Sequence, residues 1–228
     1  MLFTGDSLFP DAPYSGASQT TATVGSAVFA AAQEWKRRLG DHAPQVAGQL
    51  ADALCFTVST EGAPETGSVS QSFGAHFCEV AVDAVTGEVR VRRMLGVFDV
   101  GRVLNEKTAA NQIVGGMVWG VSYALGEAAV VDTRSGRFVN PDFGEYHVAV
   151  NADVPQIEVH FIEEIDDAAN QVGAKGVGEL GISGAGAAVI NAIHNATGVR
   201  VRDVPATLDT LLAGLRAELT LPRAPQPA

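Results

Sequence analysis

Residues 173–181, Gly-Ala-Lys-Gly-Val-Gly-Glu-Leu-Gly, are the most informative part of this 228-residue chain. Four glycines surround one glutamate, Glu179, just before a helix-like run. Glycine tolerates positive φ and allows a large ligand to lie directly against the backbone. A carboxylate in a loop with so few side chains can serve as a general base. We therefore predict that this loop binds a large ligand and that Glu179 removes a proton.

The same loop satisfies the G-x-G-x-x-G dinucleotide fingerprint at residues 176–181, which needs a strand directly before it within a βαβ unit. The nearest strand candidate, residues 157–164, alternates polar and apolar residues, unlike a buried parallel strand. A polar loop at residues 166–171 separates that candidate from the glycines. Glu179 would also place negative charge where a pyrophosphate should bind. A dinucleotide site therefore stays only as an alternative.

Local patterns predict an α+β fold of strand hairpins, mixed sheets and packed helices. Helices are expected at residues 25–39, 105–125, 185–196 and 207–219. Strands are expected at residues 53–58, 73–83, 88–98, 128–132, 137–139, 145–150 and 157–164. We expect one domain over residues 1–221 and a disordered proline-rich tail over residues 222–228.

Two of the expected helices carry further signals. The first should bury an apolar stripe that includes Val28 and Trp35. The second contains Gly115, Gly116 and Gly120. A glycine inside a helix costs about 1 kcal/mol relative to alanine. Another backbone or a ligand should therefore lie close to these glycines.

Composition excludes several function classes. The net charge of −11 argues against nucleic acids and anionic membrane surfaces as partners. There is no run of 18 apolar residues and no secretory signal at the N-terminus, so we expect a cytoplasmic protein. Cys55 and Cys78 form no CxxC pair and are expected to be buried free thiols. The five histidines lack metal-ligand spacing and are interpreted as structural or exposed.

Several motifs, in a consistent order, resemble the C-terminal part of the molybdopterin-binding subunit of the xanthine dehydrogenase and aldehyde oxidase family. They lie at residues 15–21, 73–77, 86–91, 99–101, 112–116, 173–181, 191–198 and 201–212. The resemblance implies a C-terminal molybdopterin-binding domain whose longer N-terminal half, with much of the substrate pocket, is not in this chain. The implied cofactor is a molybdenum-molybdopterin, which in bacterial relatives usually carries a cytosine nucleotide. No metal ligand is implied in the chain, because the pterin dithiolene holds the molybdenum.

The resemblance also implies an activity and partners. The family oxidises the carbon of an aldehyde or N-heterocycle with oxygen derived from water, and a small molecule of this class would be the substrate. The 2Fe-2S clusters and FAD would reside on partner subunits, together with the missing N-terminal half. A truncated, non-catalytic remnant that binds partners but no molybdenum is the alternative.

Individual site residues follow from the same resemblance. Glu179 matches the general base. Residues implied to contact the cofactor are Gly16, Ala17, Ser18, Gln19, Gln112, Lys175 and Gly178. Three of these positions have simpler interpretations, since Glu179 could cap the next helix, Gln112 could be an exposed helix residue and Lys175 could be solvated. Asn111 stands where the family commonly has glycine, so the approach to Gln112 could differ here.

Overall fold

The computed structural model describes residues 5, 7–8, 11–12, 14–40, 57–60, 69–162 and 164–220. These residues form two compact units. The first draws on the described residues within 1–72, 99–104 and 162–178, and the second on those within 73–98, 105–161 and 179–228. Most of the expected strand at residues 53–58, and the whole tail at 222–228, lie outside the described residues. The expectation of one domain over residues 1–221 stays a prediction.

The elements follow in chain order as α1 (Thr20–Leu39), β1 (Phe73–Val82), β2 (Val89–Asp99), α2 (Glu106–Leu125), β3 (Val131–Asp132), β4 (Arg137–Phe138), a 3-10 turn (Asn151–Asp153), β5 (Gln156–Phe161), α3 (Leu180–Ser183), α4 (Ala185–Thr197) and α5 (Leu208–Thr220). Among the described residues, no helix is both long and apolar enough to cross a membrane.

Helix α1, in the first unit, differs from its prediction in two respects. It begins at Thr20 rather than at residue 25, because the threonine-rich segment forms the first turn instead of a loop. Its predicted apolar stripe is not buried, since Val28 is 63% exposed. The buried residue of α1 is Ser26. The helix ends at Leu39, as predicted, with basic residues in its last turn and a positive φ at Gly40.

The sheet of the second unit has the order β1-β2-β5. A turn joins β1 to β2 as predicted, and the Asp83 carboxylate accepts hydrogen bonds from the backbone N–H groups of Val85 and Thr86. Strand β5 pairs in parallel with β2, so that Phe98 lies opposite Phe161. It is an edge strand of this sheet and only partly buried, unlike the central strand of a dinucleotide-binding fold.

Helices pack on this sheet, and buried side chains of both form the core of the second unit. α2 is capped by Asn105, whose side chain accepts the N–H of Thr108 at 3.1 Å, so the helix starts next to its predicted first residue. α4 ends at the left-handed Gly198 and packs against β1 and α2. The fully buried apolar side chains of the unit include Met94, Phe98, Ile113, Met117, Val189, Ile193 and Leu211. Each such side chain stabilises the fold by about 1.5–3 kcal/mol relative to exposure.

One predicted strand is wrong. Residues 145–150 form no strand, because Asp142 organises a turn at this point. Its carboxylate accepts the N–H of Gly144 at 2.9 Å, and its carbonyl accepts the N–H of Tyr146 at 2.8 Å. The predicted hairpin just before it is present, with short strands β3 and β4 paired antiparallel.

Candidate functional site

The loop before α1 has an unusual backbone. Ala17 and Ser18 both adopt positive φ, at 50° and 57°, which costs energy for residues that carry a Cβ. The N–H of Gln19 donates to the carbonyl of Gly16 at 3.2 Å and closes the loop. Gln19 then begins the 20-residue helix without a side-chain cap. The first-turn N–H groups of α1 therefore point, uncapped by a side chain, toward any anion at this helix end.

The glycine loop packs directly on this strained loop, within the same unit. A Cβ at position 176 would lie 3.0 Å from the Cβ of Ser18, and one at position 178 would overlap the Oγ of Ser18. Ser72 Oγ also contacts the glycine loop and donates to the carbonyl of Gly176 at 2.6 Å. Two of the predicted cofactor segments, 160 positions apart at Ser18 and Gly178, thus lie in contact.

Lys175 is held by carboxylates inside the first unit. Its Nζ lies 2.7 Å from Oδ2 of Asp99 and 3.7 Å from Oδ2 of Asp166. The Lys175 and Asp99 side chains are only 8% and 5% exposed, so the solvated alternative is wrong. The expected contact of Lys175 with a phosphate stays a prediction that this geometry does not favour, because its ammonium already neutralises Asp99.

The Asp99 carboxylate is charged despite its burial. Burial raises the pKa of Asp99, but the Lys175 ammonium and the N–H of Gly101, at 2.9 Å, outweigh this effect and hold the pKa below its usual range. For Asp166, a hydrogen bond from Ser70 and the charge of Lys175 likewise lower the pKa. The site therefore contains a buried lysine between two ionised carboxylates.

A short backbone ladder fixes the start of the glycine loop. Gly101 and Ala174 form an antiparallel bridge, and the N–H of Lys175 donates to the carbonyl of Val100 at 2.8 Å. Arg102 donates its backbone N–H to Gly173 and its side-chain Nε to Val172, at 2.6 and 2.8 Å. Together with the Lys175–Asp99 ion pair, these bonds set the position of the residues that lead into the loop.

In the second unit, Glu179 directly precedes α3. It occupies the N-cap position with φ −112° and ψ −1°, yet its side chain makes no capping hydrogen bond. The alternative that Glu179 merely caps the following helix therefore lacks its defining contact. The side chain is exposed, so the carboxylate is accessible to a ligand.

Glycines allow α3 to lie directly against α2. A Cβ at position 116 would be 2.7 Å from the backbone nitrogen of Ile182, and one at position 181 would overlap the carbonyl oxygen of Ile113. Gly120 approaches the start of α4 in the same way. The prediction of a close backbone is thus confirmed for Gly116 and Gly120. At Gly115, by contrast, nothing lies within 4 Å of a built Cβ.

Gln112 lies within the second turn of α2 and is exposed. The helix runs regularly through Asn111, so the substitution of asparagine for the family's common glycine does not interrupt it. The next residue, Ile113, touches Gly181, which is two positions beyond Glu179. The elements that carry Gln112 and Glu179 are therefore packed against each other within one unit.

His76 supports this arrangement, and its specific contact was missed in the sequence. Its Nε2 lies 3.0 Å from the carbonyl oxygen of Gly181, and its ring makes an edge contact with Phe98 at 5.0 Å. Burial lowers the pKa of His76, and the Gly181 carbonyl opposes this only in part. A neutral imidazole thus holds the start of α3 against β1. The alternating pattern of β1 could have indicated that the His76 ring faces inward. It could not have indicated that the ring contacts the carbonyl of Gly181.

Matched alanine substitutions at Gly116 and Gly115 should change stability in opposite directions. Gly116→Ala is expected to lower the free energy of unfolding by about 1–3 kcal/mol, because the new Cβ would meet the α3 backbone. Gly115→Ala is expected to raise it by about 0.5–1 kcal/mol, because the space is open and alanine favours the helix. Urea denaturation of both variants tests this, and a stabilising Gly116→Ala would contradict the packing of α2 on α3.

Comparisons with known proteins identify the relatives of this chain. The molybdopterin cofactor-binding domain family matches residues 48–155. The chain is similar to the aldehyde oxidoreductase molybdenum-binding subunit PaoC of Escherichia coli K12, with 42% identity over 231 residues, covering 91% of this chain and 31% of PaoC. It is also similar to the putative xanthine dehydrogenase molybdenum-binding subunit XdhA of the same organism, with 35% identity, covering 75% of this chain and 22% of XdhA.

The fold is likewise shared with a solved structure. Quinoline 2-oxidoreductase from Pseudomonas putida 86 superposes with a TM-score of 0.58 and 28% identity, over 63% of this chain and 18% of that chain. This likeness confirms the α+β class of a molybdenum hydroxylase domain. The chain spans about a third of the length of the curated relatives that it matches first, at 31% of PaoC. The chain belongs to the molybdopterin-binding part of the xanthine dehydrogenase and aldehyde oxidase family of molybdenum hydroxylases.

Proposed function

We propose that this chain supplies part of the molybdenum-cofactor site of a hydroxylase that oxidises an aldehyde or an N-heterocycle carbon with water-derived oxygen. The observation that carries the proposal is the contact between the loop of residues 16–19 and the glycine loop of residues 176–178. At that contact, the first turn of α1, which has no side-chain cap, lies close to Gly176 and Gly178. Such a helix end and bare backbone suit a phosphate-bearing pterin.

Taken separately within each unit, these residues suit this cofactor, which would supply the redox chemistry when it is bound. The backbone N–H groups of residues 16–19 would donate hydrogen bonds to the pterin or to its phosphate. The amide of Gln112 would hydrogen-bond the pterin edge, and Gly178 would keep the adjoining backbone free of side-chain atoms. Glu179 would act as the general base, because its carboxylate is exposed and makes no capping bond.

Partners and substrate extend this proposal. The chain would assemble with the remaining part of a molybdenum-binding subunit and with subunits that carry 2Fe-2S clusters and FAD. Relatives are themselves parts of assemblies, such as the gamma subunit of a 6-hydroxypseudooxynicotine dehydrogenase complex. The half-buried thiol of Cys78 is free, and burial together with Glu79 raises its pKa to about 11. An unreactive free thiol suits the reducing cytoplasm in which we place the enzyme.

Metal content tests the proposal directly. The chain, purified from its native host with its companions, should contain about one molybdenum per chain by elemental mass spectrometry, as one bound cofactor requires. Gly178→Ala should lose most of this molybdenum, because the added Cβ would displace Ser18. Gly25→Ala is the matched control, since its Cβ would only touch Val172 at an ordinary 3.8 Å.

The outcomes separate the proposal from its alternative. A chain that carries no molybdenum in any native assembly would be a non-catalytic remnant, and the proposal would fail. Equal molybdenum in Gly178→Ala and Gly25→Ala would instead contradict the role of the contact with Ser18.

A further inference from the structure

Helix α2 carries an aromatic stripe whose side chains stay more than half exposed among the described residues. Its buried side carries Ile113, Met117 and Val121. On the exposed side, Trp119 is 58% and Tyr123 is 51% exposed, and they lie one turn apart. Gly115 continues the line one turn before Trp119. Two large aromatic side chains in a row on an exposed helix face are typical of an interface.

Gly115 gives independent support for a neighbour at this surface. Gly116 and Gly120 are explained by the backbones of α3 and α4, which leave no room for a Cβ. At Gly115 the surroundings are open to 4 Å, although the glycine costs about 1 kcal/mol of helix stability. The described part of this chain thus provides no packing reason for the glycine. A surface that approaches this side of the helix would provide one.

The charge pattern points to a polypeptide rather than to solvent. No charged residue occurs between Lys107 and Glu127, so the exposed stripe lacks the charges of a solvated helix face. Interface cores are likewise depleted in charge and enriched in tryptophan and tyrosine. The stripe also leads, one turn at a time, to Gln112, which we propose to face the cofactor.

We propose that the stripe of Gly115, Trp119 and Tyr123 is the surface on which the remaining part of the molybdenum-binding subunit packs. This inference rests on the proposed function. The length of the relatives identifies the occupant. About two-thirds of PaoC lies outside the 31% that this chain matches. A second copy of this chain would not supply that missing part. The occupant is therefore a segment related to that remaining part, carried by the same or by a separate polypeptide.

Photo-crosslinking in the native assembly tests the inference. p-Benzoylphenylalanine replaces Trp119, and the crosslinked peptides are identified by mass spectrometry. We expect adducts with peptides whose sequence is related to the part of PaoC that this chain does not match. Phe143, which is 83% exposed in the same unit, is the control position and should give at least tenfold less of these adducts. Adducts with a second copy, with an unrelated protein, or no more than at position 143 would overturn the inference.

A second variant keeps the test independent of folding. Gly115→Leu fills open space among the described residues and should leave the secondary structure of this chain unchanged in the native assembly. It should weaken association with the rest of the subunit by about 30-fold, the ratio that corresponds to a hot-spot loss of about 2 kcal/mol. If both parts share a polypeptide, it should instead lower the melting temperature of the full chain. The control is Ala187→Leu at an exposed position of α4. An effect no larger than that of Ala187→Leu would contradict the inference.

Molybdenum content, measured in the same wild-type samples, keeps the two proposals apart. Crosslinks to the remaining part of the subunit without molybdenum would sink the proposed function and leave the interface intact. Molybdenum without those crosslinks would sink only the interface.

Discussion

Replacing Glu179 with glutamine is expected to lower the turnover of the assembled, molybdenum-loaded enzyme by about 10²–10⁴-fold. Glutamine has the same size as glutamate but cannot accept the proton at neutral pH. Glu179 makes no capping bond to α3, so the loss of its charge removes no observed structural contact. Folding and molybdenum content should therefore stay unchanged. Steady-state kcat with aldehyde and N-heterocyclic substrates measures the effect.

A matched control isolates the role of Glu179 as base. Glu145→Gln removes another exposed carboxylate from the same unit and should keep wild-type kcat. If the loaded Glu179→Gln enzyme turns over at the wild-type rate, Glu179 is not the base. A parallel loss of molybdenum in this variant would also contradict the assignment, because it would point to cofactor binding rather than to proton transfer.

Elements with strong local signals were predictable from the sequence. The alternation and turn residues around Asp83 were sufficient for the hairpin of β1 and β2, and the cap at Asn105 was sufficient for the start of α2. The signal failed at residues 145–150, where apolar residues alternate but Val150 is exposed. There the Asp142 turn determines the backbone, and alternation alone does not distinguish a strand from a turn with apolar residues.

Contacts between distant residues were not predictable by pattern. Nothing local indicates that Lys175 pairs with Asp99, or that Gly178 must be glycine because Ser18 lies against it. The family resemblance selected these residues as a site, but it suggested a ligand as the neighbour of Lys175 and Gly178. The observed neighbours are protein groups, so these two residues shape the site at least partly by supporting its loops.

The exposed side of α1 shows a further limit of pattern reasoning. Helical spacing predicted a buried stripe through Val28, yet this residue is exposed. Periodicity reports which residues share a face, but it does not say which part of the molecule covers that face. The same distinction applies to α2, where the periodicity that predicted the helix did not identify its exposed aromatic stripe.

Replacing Lys175 with methionine is expected to lower the free energy of unfolding by about 3 kcal/mol, at the low end for breaking a buried ion pair. Methionine keeps much of the side-chain volume but leaves the Asp99 carboxylate without its cation, in a site where that carboxylate is 5% exposed. Urea denaturation at pH 7 measures the loss. Lys107→Met, at an exposed position of α2, is the control and should change stability little. A deficit no larger than that of Lys107→Met would show that the pair does not stabilise the fold.

The pH dependence of this deficit distinguishes lost charge from lost packing. In the wild type the folded-state pKa of Asp99 is lowered, so its stabilising contribution is present above the unfolded value of about 3.9 and disappears as the pH falls through the folded pKa. Without Lys175, burial dominates and raises the folded-state pKa of Asp99, so protonation relieves the penalty in the variant. The pKa of Asp166 should rise as well, because Lys175 helps to lower it. The deficit of Lys175→Met should therefore be largest near neutral pH and shrink toward pH 3. A deficit that is the same at both pH values would mean that the methionine disrupts packing, and the electrostatic account of the site would be wrong.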